Sequence, residues 1–309
     1  MDKPIFAMLM GLVASGKSTK AKELAEEYDA TIFSSDALRA ELYGDVNDQT
    51  HNQELFVELH RRIKDCLRSG KSVIYDATNL YYKRRMSFLH ELKNISCKKI
   101  CVLMATPYEE CLLRNSKRDR KVPEHVIERM YKSIDVPWYY EGWDRICVVY
   151  SNNSYGLLGF DRDWAESMKN FDQENPHHEL SLGDHCIQTR RHVNKIQNEI
   201  GEPTGNELRH AALIHDNGKC FTKAFHNGKG EPTDIAHYFN HERVGSYNSL
   251  FFEMSCSELY VAVLVKWHMQ PYFWERDNNE KLHNKYRKLW GEDLYQDIMI
   301  LHEADRLAH

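Results

Sequence analysis

The chain has 309 residues, enough for two ordinary domains with separate cores, and a formal net charge of −5. That balance excludes a global electrostatic pull toward nucleic acid, so any such binding must come from a local basic patch. The eight cysteines are scattered without a C-x-x-C pair, which argues against disulfides and a zinc knuckle; the longest apolar run, residues 5–14, is too short to span a bilayer. With no signal peptide in the sequence, the expectation is a soluble, cytoplasmic protein with free thiols and no membrane partner.

Ile5-Phe6-Ala7-Met8-Leu9-Met10 reads as a buried strand, and residues 19–28, rich in Lys, Ala, Glu and Leu, read as a helix. Between them Gly11-Leu12-Val13-Ala14-Ser15-Gly16-Lys17-Ser18-Thr19 fits the pattern G-x-x-x-x-G-K-[ST]. A glycine-rich turn between strand and helix aims backbone N–H groups at an anion, with the helix N-terminus behind them. Lys17 then reaches the β- and γ-phosphates of ATP, and the Ser18 hydroxyl joins the Mg²⁺ shell. Gly11, Ser15, Gly16, Lys17, Ser18 and Thr19 are the expected cofactor-binding residues of this loop.

Residues 30–33 read as a second parallel strand ending in Ser34-Ser35-Asp36-Ala37-Leu38-Arg39. Asp36 stands at the carboxyl edge, where ligands bind in open α/β sheets. There it either takes the proton of an attacking hydroxyl, with Arg39 clamping an acceptor phosphate, or simply caps the next helix. Residues 44–69 have helical spacing (Leu55, Leu59, Ile63, Leu67), and residues 71–76 form a strand closing on Asp76-Ala77-Thr78-Asn79. Asp76 either holds Mg²⁺ or, with Thr78 and Asn79, positions the acceptor. Residues 99–104 read as another strand, leading to a helix through Leu113. The basic stretch that follows, Arg114-Asn115-Ser116-Lys117-Arg118-Asp119-Arg120-Lys121-Val122-Pro123, is either a solvated face or a lid whose guanidiniums close on a triphosphate.

Gly11 to Thr19, Asp36-x-x-Arg39, Asp76-Ala77-Thr78-Asn79-Leu80 with Arg84-Arg85, Arg114-Asn115-Ser116-Lys117-Arg118, Val122-Pro123 and Met130-Tyr131-Lys132-Ser133 occur in that order. Together they resemble the kinase domain of phage-type 5′-OH polynucleotide kinases. The resemblance implies an α/β P-loop domain, a parallel sheet with helices on both faces. It implies ATP and Mg²⁺ on Lys17 and Ser18, Asp36 as general base toward a polynucleotide 5′-hydroxyl, and Arg39 near the acceptor phosphate. Asp76 and Asn79 would lie at the substrate, and Arg114 and Arg118 would be lid arginines on the donor phosphates, Arg118 among the catalytic residues.

Residues 146–150 read as the last strand of the sheet, and the turn-rich and polar sequence after it marks the boundary. The expected layout is a P-loop domain over 1–152, a linker over 153–176 and a second domain over 177–309. Within the linker, Phe160-Asp161-Arg162-Asp163-Trp164 carries the Asp-x-Asp of aspartate-nucleophile phosphatases. No apolar strand leads into it and Trp164-Ala165 follows, so a surface turn is expected.

From residue 177 onward the pattern is helical and holds most of the histidines. Apolar helix faces run into His215-Asp216-Asn217-Gly218-Lys219, into Trp267-His268 and into Ala304-Asp305, so these side chains should converge on one buried polar centre. Imidazole and carboxylate together suit Mn²⁺, Fe²⁺, Ni²⁺, Zn²⁺ or Mg²⁺, with positions left for water. His185, His215-Asp216 and Asp305 resemble the H…HD…D pattern of the HD-domain metal phosphohydrolase superfamily, an all-α fold. His241 and His268 match the extra histidines of its members with a second metal. The resemblance implies metal-activated water attacking a phosphoester, with Lys219 stabilising phosphate charge. His237, one helical turn before His241 in this reading, could contact substrate.

The two resemblances together imply a bifunctional RNA end-healing enzyme. One site would phosphorylate 5′-OH ends of RNA or DNA, and the other would hydrolyse 2′,3′-cyclic phosphate or 2′/3′-phosphate ends. No ligase signature is present, so joining would fall to a separate RNA ligase. The alternative is a small-molecule nucleoside or nucleotide kinase fused to a nucleotide phosphohydrolase.

Overall fold

The computed structural model describes residues 3–152, 154–176, 179–201, 205–276 and 279–308. The linker start expected at 153, the domain start at 177 and the domain end at 309 lie outside the described residues. The chain divides into two units, one of Met1–Met130 with Pro137–Ser151 and one of Tyr131–Val136 with Asn152–His309.

The first unit is a five-stranded sheet with strands β1 (Ile5–Met10), β2 (Thr31–Ser34), β3 (Val73–Asp76), β4 (Lys98–Ala105) and β5 (Arg145–Tyr150) in the order β2-β3-β1-β4-β5. Every pairing is parallel. Phe6 through Met10 are wholly buried, which a continuous apolar run allows only where helices cover both faces of a parallel sheet. The crossover helices are α1 (Lys17–Glu27), α2 (Ser35–Tyr43), α3 (Asn52–Arg68), α4 (Tyr82–Glu91), α5 (Tyr108–Ser116) and α6 (Glu124–Tyr131). Ala21 and Leu24 of α1 pack on Ala7, Leu9, Ile74, Ile100 and Val102 of the sheet. Helix α3 buries Leu55, Leu59, Ile63 and Leu67, one residue per turn. It starts later than the helix expected over 44–69. Asp45 and Asp48 accept bonds from the N–H groups of Asn47 and Thr50, both at 2.8 Å, and these local Asx turns compete with a helix in residues 45–51.

The second unit is predominantly helical: α7 (Asp161–Ser167), α8 (Leu182–Ile200), α9 (Asn206–Ile214), α10 (Lys219–Thr222), then an antiparallel hairpin β6 (Ala224–His226) and β7 (Pro232–His237). Helices α11 (His241–Asn248), α12 (Glu258–Trp267), α13 (Gln270–Arg276), α14 (Glu280–Trp290) and α15 (Glu292–Arg306) complete it. α9 packs on α8, α12 and α15, and α11 on α12.

Two expectations change here. The 153–176 segment is no bare linker: α7 packs on α8 and α9, and the Asp-x-Asp expected in a surface turn forms its first turn. Asp161 is buried and its carboxylate meets His210 Nδ1 at 2.6 Å. Residues 131–136, expected in the first domain, belong to the second unit. Tyr131 hydrogen-bonds Asn248, and buried Asp135 meets Lys266 Nζ at 3.6 Å and Arg243 Nε at 3.8 Å.

Candidate phosphate cradle and candidate metal centre

The loop after β1 turns into α1 through Gly16, whose φ of 95° lies in the left-handed region that a Cβ disfavours. Lys17 folds over the loop and donates to the carbonyls of Gly11 (3.1 Å) and Leu12 (2.6 Å), the posture of a lysine spanning a phosphate nest. Burial, partly offset by Asp76 and reinforced by Arg118, lowers its pKa to about 8. Ser18 Oγ donates to Asp76 Oδ2 at 2.8 Å, so the hydroxyl and carboxylate suited to Mg²⁺ already meet, one in the first turn of α1 and the other at the end of β3. Ser15 is buried and its carbonyl accepts from Thr106 Oγ1 at 3.0 Å. Arg114 lies over the loop: a Cβ on Gly16 would stand 3.6 Å from its Nη1, while its Nη2 donates to Glu110 at 2.5 Å. Thr19 is an exposed residue of the first turn of α1.

Asp36 opens α2 beside this edge and is half exposed. Arg39 Nη1 donates to its Oδ1 at 3.0 Å and Arg39 Nη2 to Asn52 at 2.9 Å. The Ser34 hydroxyl caps α2, accepting from Ala37 N at 3.4 Å, so the capping task that Asp36 might have served falls to a neighbour. Asn79 does not face outward as an acceptor-binding amide would. Its backbone is left-handed (φ 48°) and its Nδ2 donates to Leu9 O at 2.8 Å, tying the Asp76 loop to β1. Buried Arg85 supports the same loop, donating to the carbonyls of Asn79 and Leu80 and forming a two-pronged ion pair with buried Glu141. Arg118, expected on the donor phosphates, is exposed and acts electrostatically on Lys17, while Arg120 of the same basic stretch reaches Asp36 at 2.8 Å. Sequence reasoning passed over Arg120 because a run of basic residues gives no register.

In the second unit, His215 and His268 directly follow the apolar helices α9 and α12, His185 lies in the first turns of α8, His241 starts α11, and Asp305 is in the last turn of α15. The helices bring all six expected ligands together in two buried triads, His185/His215/Asp305 and Asp216/His241/His268, with ligand atoms within 4.8 Å in each. Asp216 joins them: Oδ2 stands 3.5 and 3.4 Å from Nε2 of His185 and His215, and Oδ1 stands 3.2 and 3.7 Å from Nε2 of His241 and His268.

Each imidazole turns Nδ1 toward a main-chain carbonyl: His185 to Ala308 (3.4 Å), His215 to Ala212 (3.0 Å), His241 to Tyr238 (2.8 Å) and His268 to Val265 (2.6 Å). With Nδ1–H donated, the Nε2 lone pairs point inward. They then stand 3.2 Å apart for His185 and His215 and 3.3 Å for His241 and His268. Lone pairs at that distance repel unless a cation or proton lies between them, so the donor set fits divalent metal. Burial opposes charge here, but Asp216 and Asp305 outweigh it at His215 and hold its pKa well above the usual imidazole range. Lys219 and His215 likewise hold Asp216 well below the carboxylate range against burial, and burial pushes His268 down.

Lys219 is not turned outward as a phosphate-binding lysine would be. It is buried, with Nζ 2.7 Å from Asp216 Oδ2 and 2.8 Å from Gln173 Oε1, under the ring of Tyr238. Tyr272, unnoticed in the sequence, donates to Asp305 Oδ2 at 3.1 Å. His237 ends β7 and stacks on Phe239, while left-handed Asn240 separates it from α11; it shares no helix with His241. Gly218 is helical (φ −68°) yet irreplaceable in packing: a Cβ there would stand 2.0 Å from His241 O and 2.7 Å from Gly245 N.

Residues 6–137 match the family model described as AAA domain, and residues 182–309 the one described as HD domain. The chain thus joins a P-loop module to an HD module. Over 142 residues it is 28% identical to the L-seryl-tRNA(Sec) kinase of Methanococcus maripaludis, covering 44% of this chain and 55% of that protein. The chain therefore spans about half the length of this curated relative. Among solved structures it is similar to the Pnkp1/Rnl/Hen1 RNA repair complex (TM-score 0.39, 20% identity, 42% of this chain and 43% of that one). It is also similar to a gluconokinase from Sinorhizobium meliloti 1021 (TM-score 0.37, 17% identity, 50% and 86%). Among the described residues, no helix is long and apolar enough to cross a membrane.

Proposed function

We propose that the protein heals broken RNA ends. The P-loop module moves the γ-phosphoryl group of ATP to a polynucleotide 5′-hydroxyl, and the HD module hydrolyses a 2′,3′-cyclic phosphate or a terminal 2′- or 3′-phosphate. The observation that carries the reading is the presence in one chain of a P-loop with a carboxylate on its acceptor side and a buried His/Asp centre suited to phosphoester hydrolysis. A relative named for a kinase acting on a tRNA-borne group supports an acceptor carried on RNA.

In this reading Asp36 takes the 5′-hydroxyl proton as the hydroxyl oxygen bonds the γ-phosphorus, and ADP leaves with the bridging oxygen's electron pair. Lys17 holds the β- and γ-phosphates, Ser18 and Asp76 hold Mg²⁺, and Arg114 and Arg118 neutralise charge on the donor. In the HD module His185, His215, Asp216, His241, His268 and Asp305 hold the divalent metal, which when bound acidifies water and polarises the phosphoryl group. Lys219 fixes the charge and position of Asp216. RNA ends, or DNA ends, are the partners, and a separate ligase seals the product.

The test is an RNA oligonucleotide with a 5′-OH and a 2′,3′-cyclic phosphate, incubated with ATP and Mg²⁺ or Mn²⁺, with both ends read by mass. Wild type should change both ends, Asp36→Ala only the 3′ end, and Asp216→Ala only the 5′ end. If neither end changes while free nucleosides or nucleotides are consumed, the protein is a small-molecule kinase and nucleotide phosphohydrolase instead.

A further inference from the structure

The loop between α5 and α6 sends one side chain back across the edge of the sheet. Arg120 donates to Asp36 Oδ2 at 2.8 Å, to Asn47 Oδ1 at 2.8 Å and to the carbonyl of Val46 at 3.2 Å. Its three contacts therefore lie on α2 and the loop after it, more than seventy residues earlier in the chain. Meanwhile Arg39 Nη1 occupies the other oxygen of Asp36 at 3.0 Å. Each oxygen of this carboxylate thus already accepts from a guanidinium, and an incoming hydroxyl must compete with Arg120 at Oδ2. The two arginines are not equivalent: Arg39 is buried and anchored on Asn52, whereas the side chain of Arg120 is 32% exposed and sits on a loop.

We propose that Arg120 is an acceptor-sensing latch. Without acceptor it ties the α5–α6 loop to α2 and occupies Oδ2 of Asp36. A phosphate on the acceptor draws the guanidinium away, since a phosphate oxygen pair offers it a two-pronged partner in place of the single bond to Asp36 Oδ2. Oδ2 of Asp36 is then open to the hydroxyl proton, and the displaced arginine holds the acceptor phosphate. Arg120 is thus a positioning and specificity residue, acting through Asp36. The chemistry that recognises the acceptor is a hydroxyl borne on a phosphate-containing nucleotide, not a bare nucleoside. This inference rests on the kinase reading above.

The experiment compares a 3′-phosphorylated nucleoside with the same nucleoside lacking the phosphate, each with ATP, in wild type, Arg120→Ala and Arg120→Lys. In wild type the phosphate-bearing acceptor should win in kcat/KM. In Arg120→Ala that preference should shrink roughly 10- to 100-fold, the loss expected for one charged hydrogen-bonding partner. The shrinkage should come from a raised KM for the phosphorylated acceptor together with an unchanged or raised kcat for the bare one. Arg120→Lys should restore part of the preference, as a point charge without the fork. A mere folding role would lower both acceptors equally, and an unchanged ratio overturns the latch. If wild type phosphorylates neither acceptor nor an RNA 5′-OH, the kinase reading itself fails.

Discussion

The two candidate sites solve the problem of handling phosphate in opposite ways. The P-loop site is built largely from main chain: its loop follows one strand, Lys17 bonds its own loop's carbonyls, and the Ser18 hydroxyl meets Asp76 at the end of the next strand over. The HD centre is built from side chains, all six buried, drawn from α8, α11, α15 and the ends of α9 and α12. A backbone cradle is open and ready because its N–H groups cost little to leave in water. A cluster of imidazoles and carboxylates at 3 Å separations must instead be compensated from within, by Lys219 on Asp216 and Tyr272 on Asp305. The first is held by turn geometry and the second by packing, so they should fail differently.

The largest effects fall on the groups that do chemistry. Asp36→Ala should lower kcat for 5′ phosphorylation by about 10²- to 10⁴-fold while leaving ATP binding and 3′-end hydrolysis intact, measured by end-labelling and nucleotide titration. Chelation should separate the modules by stability. Removing metal held at about 100 times its Kd should cost the HD unit about 2.7 kcal/mol and lower its melting transition in calorimetry, with kinase-unit melting unmoved. A single, undiminished transition would show that the triads hold no metal.

A smaller effect tests the support around the ligands. Tyr272→Phe should weaken metal affinity roughly 10- to 100-fold without unfolding the unit, read by metal titration. The smallest concerns the other unit. Burial holds His60, stacked on Phe88, down to a pKa of about 4. The unfolded chain binds that proton near pH 6.5, so stability is full above that value and falls as pH drops toward 4. About 2 kcal/mol should be lost by pH 5, and urea melts of His60→Phe should lack this slope.

How far the sequence could be read follows the same division. The cradle was legible because its chemistry is contiguous from Gly11 to Thr19 and flanked by an unmistakable strand and helix. Most of the HD ligands were legible for another reason: His215-Asp216, His268 and Asp305 each follow or end an apolar run, so burial could be inferred before contact, whereas His185 and His241 were found through the H…HD…D pattern and its extra histidines. What was illegible is tertiary register. Nothing local distinguishes Arg120 from Arg118, or marks Gln173 and Tyr238 as neighbours of Lys219. The 153–176 segment looked like a linker because its start is turn-rich and residues 161–176 are mostly polar, although α7 packs on α8 and α9. Asn79 looked like a recognition amide, but its side chain ties the Asp76 loop to β1.

The glycine after His215-Asp216-Asn217 has a reach beyond its own contacts. With no room for even a methyl group between Gly218 and the main chain of His241, the segment carrying His215 and Asp216, one ligand of each triad, is pressed against the helix that opens with His241. The spacing across the centre is therefore a fixed gauge, set by backbone touching backbone. An ion of smaller radius cannot be met by drawing α11 inward, because the main chains already touch, and only rotation of the imidazoles remains. Discrimination among ions at this centre is in that sense mechanical as much as chemical.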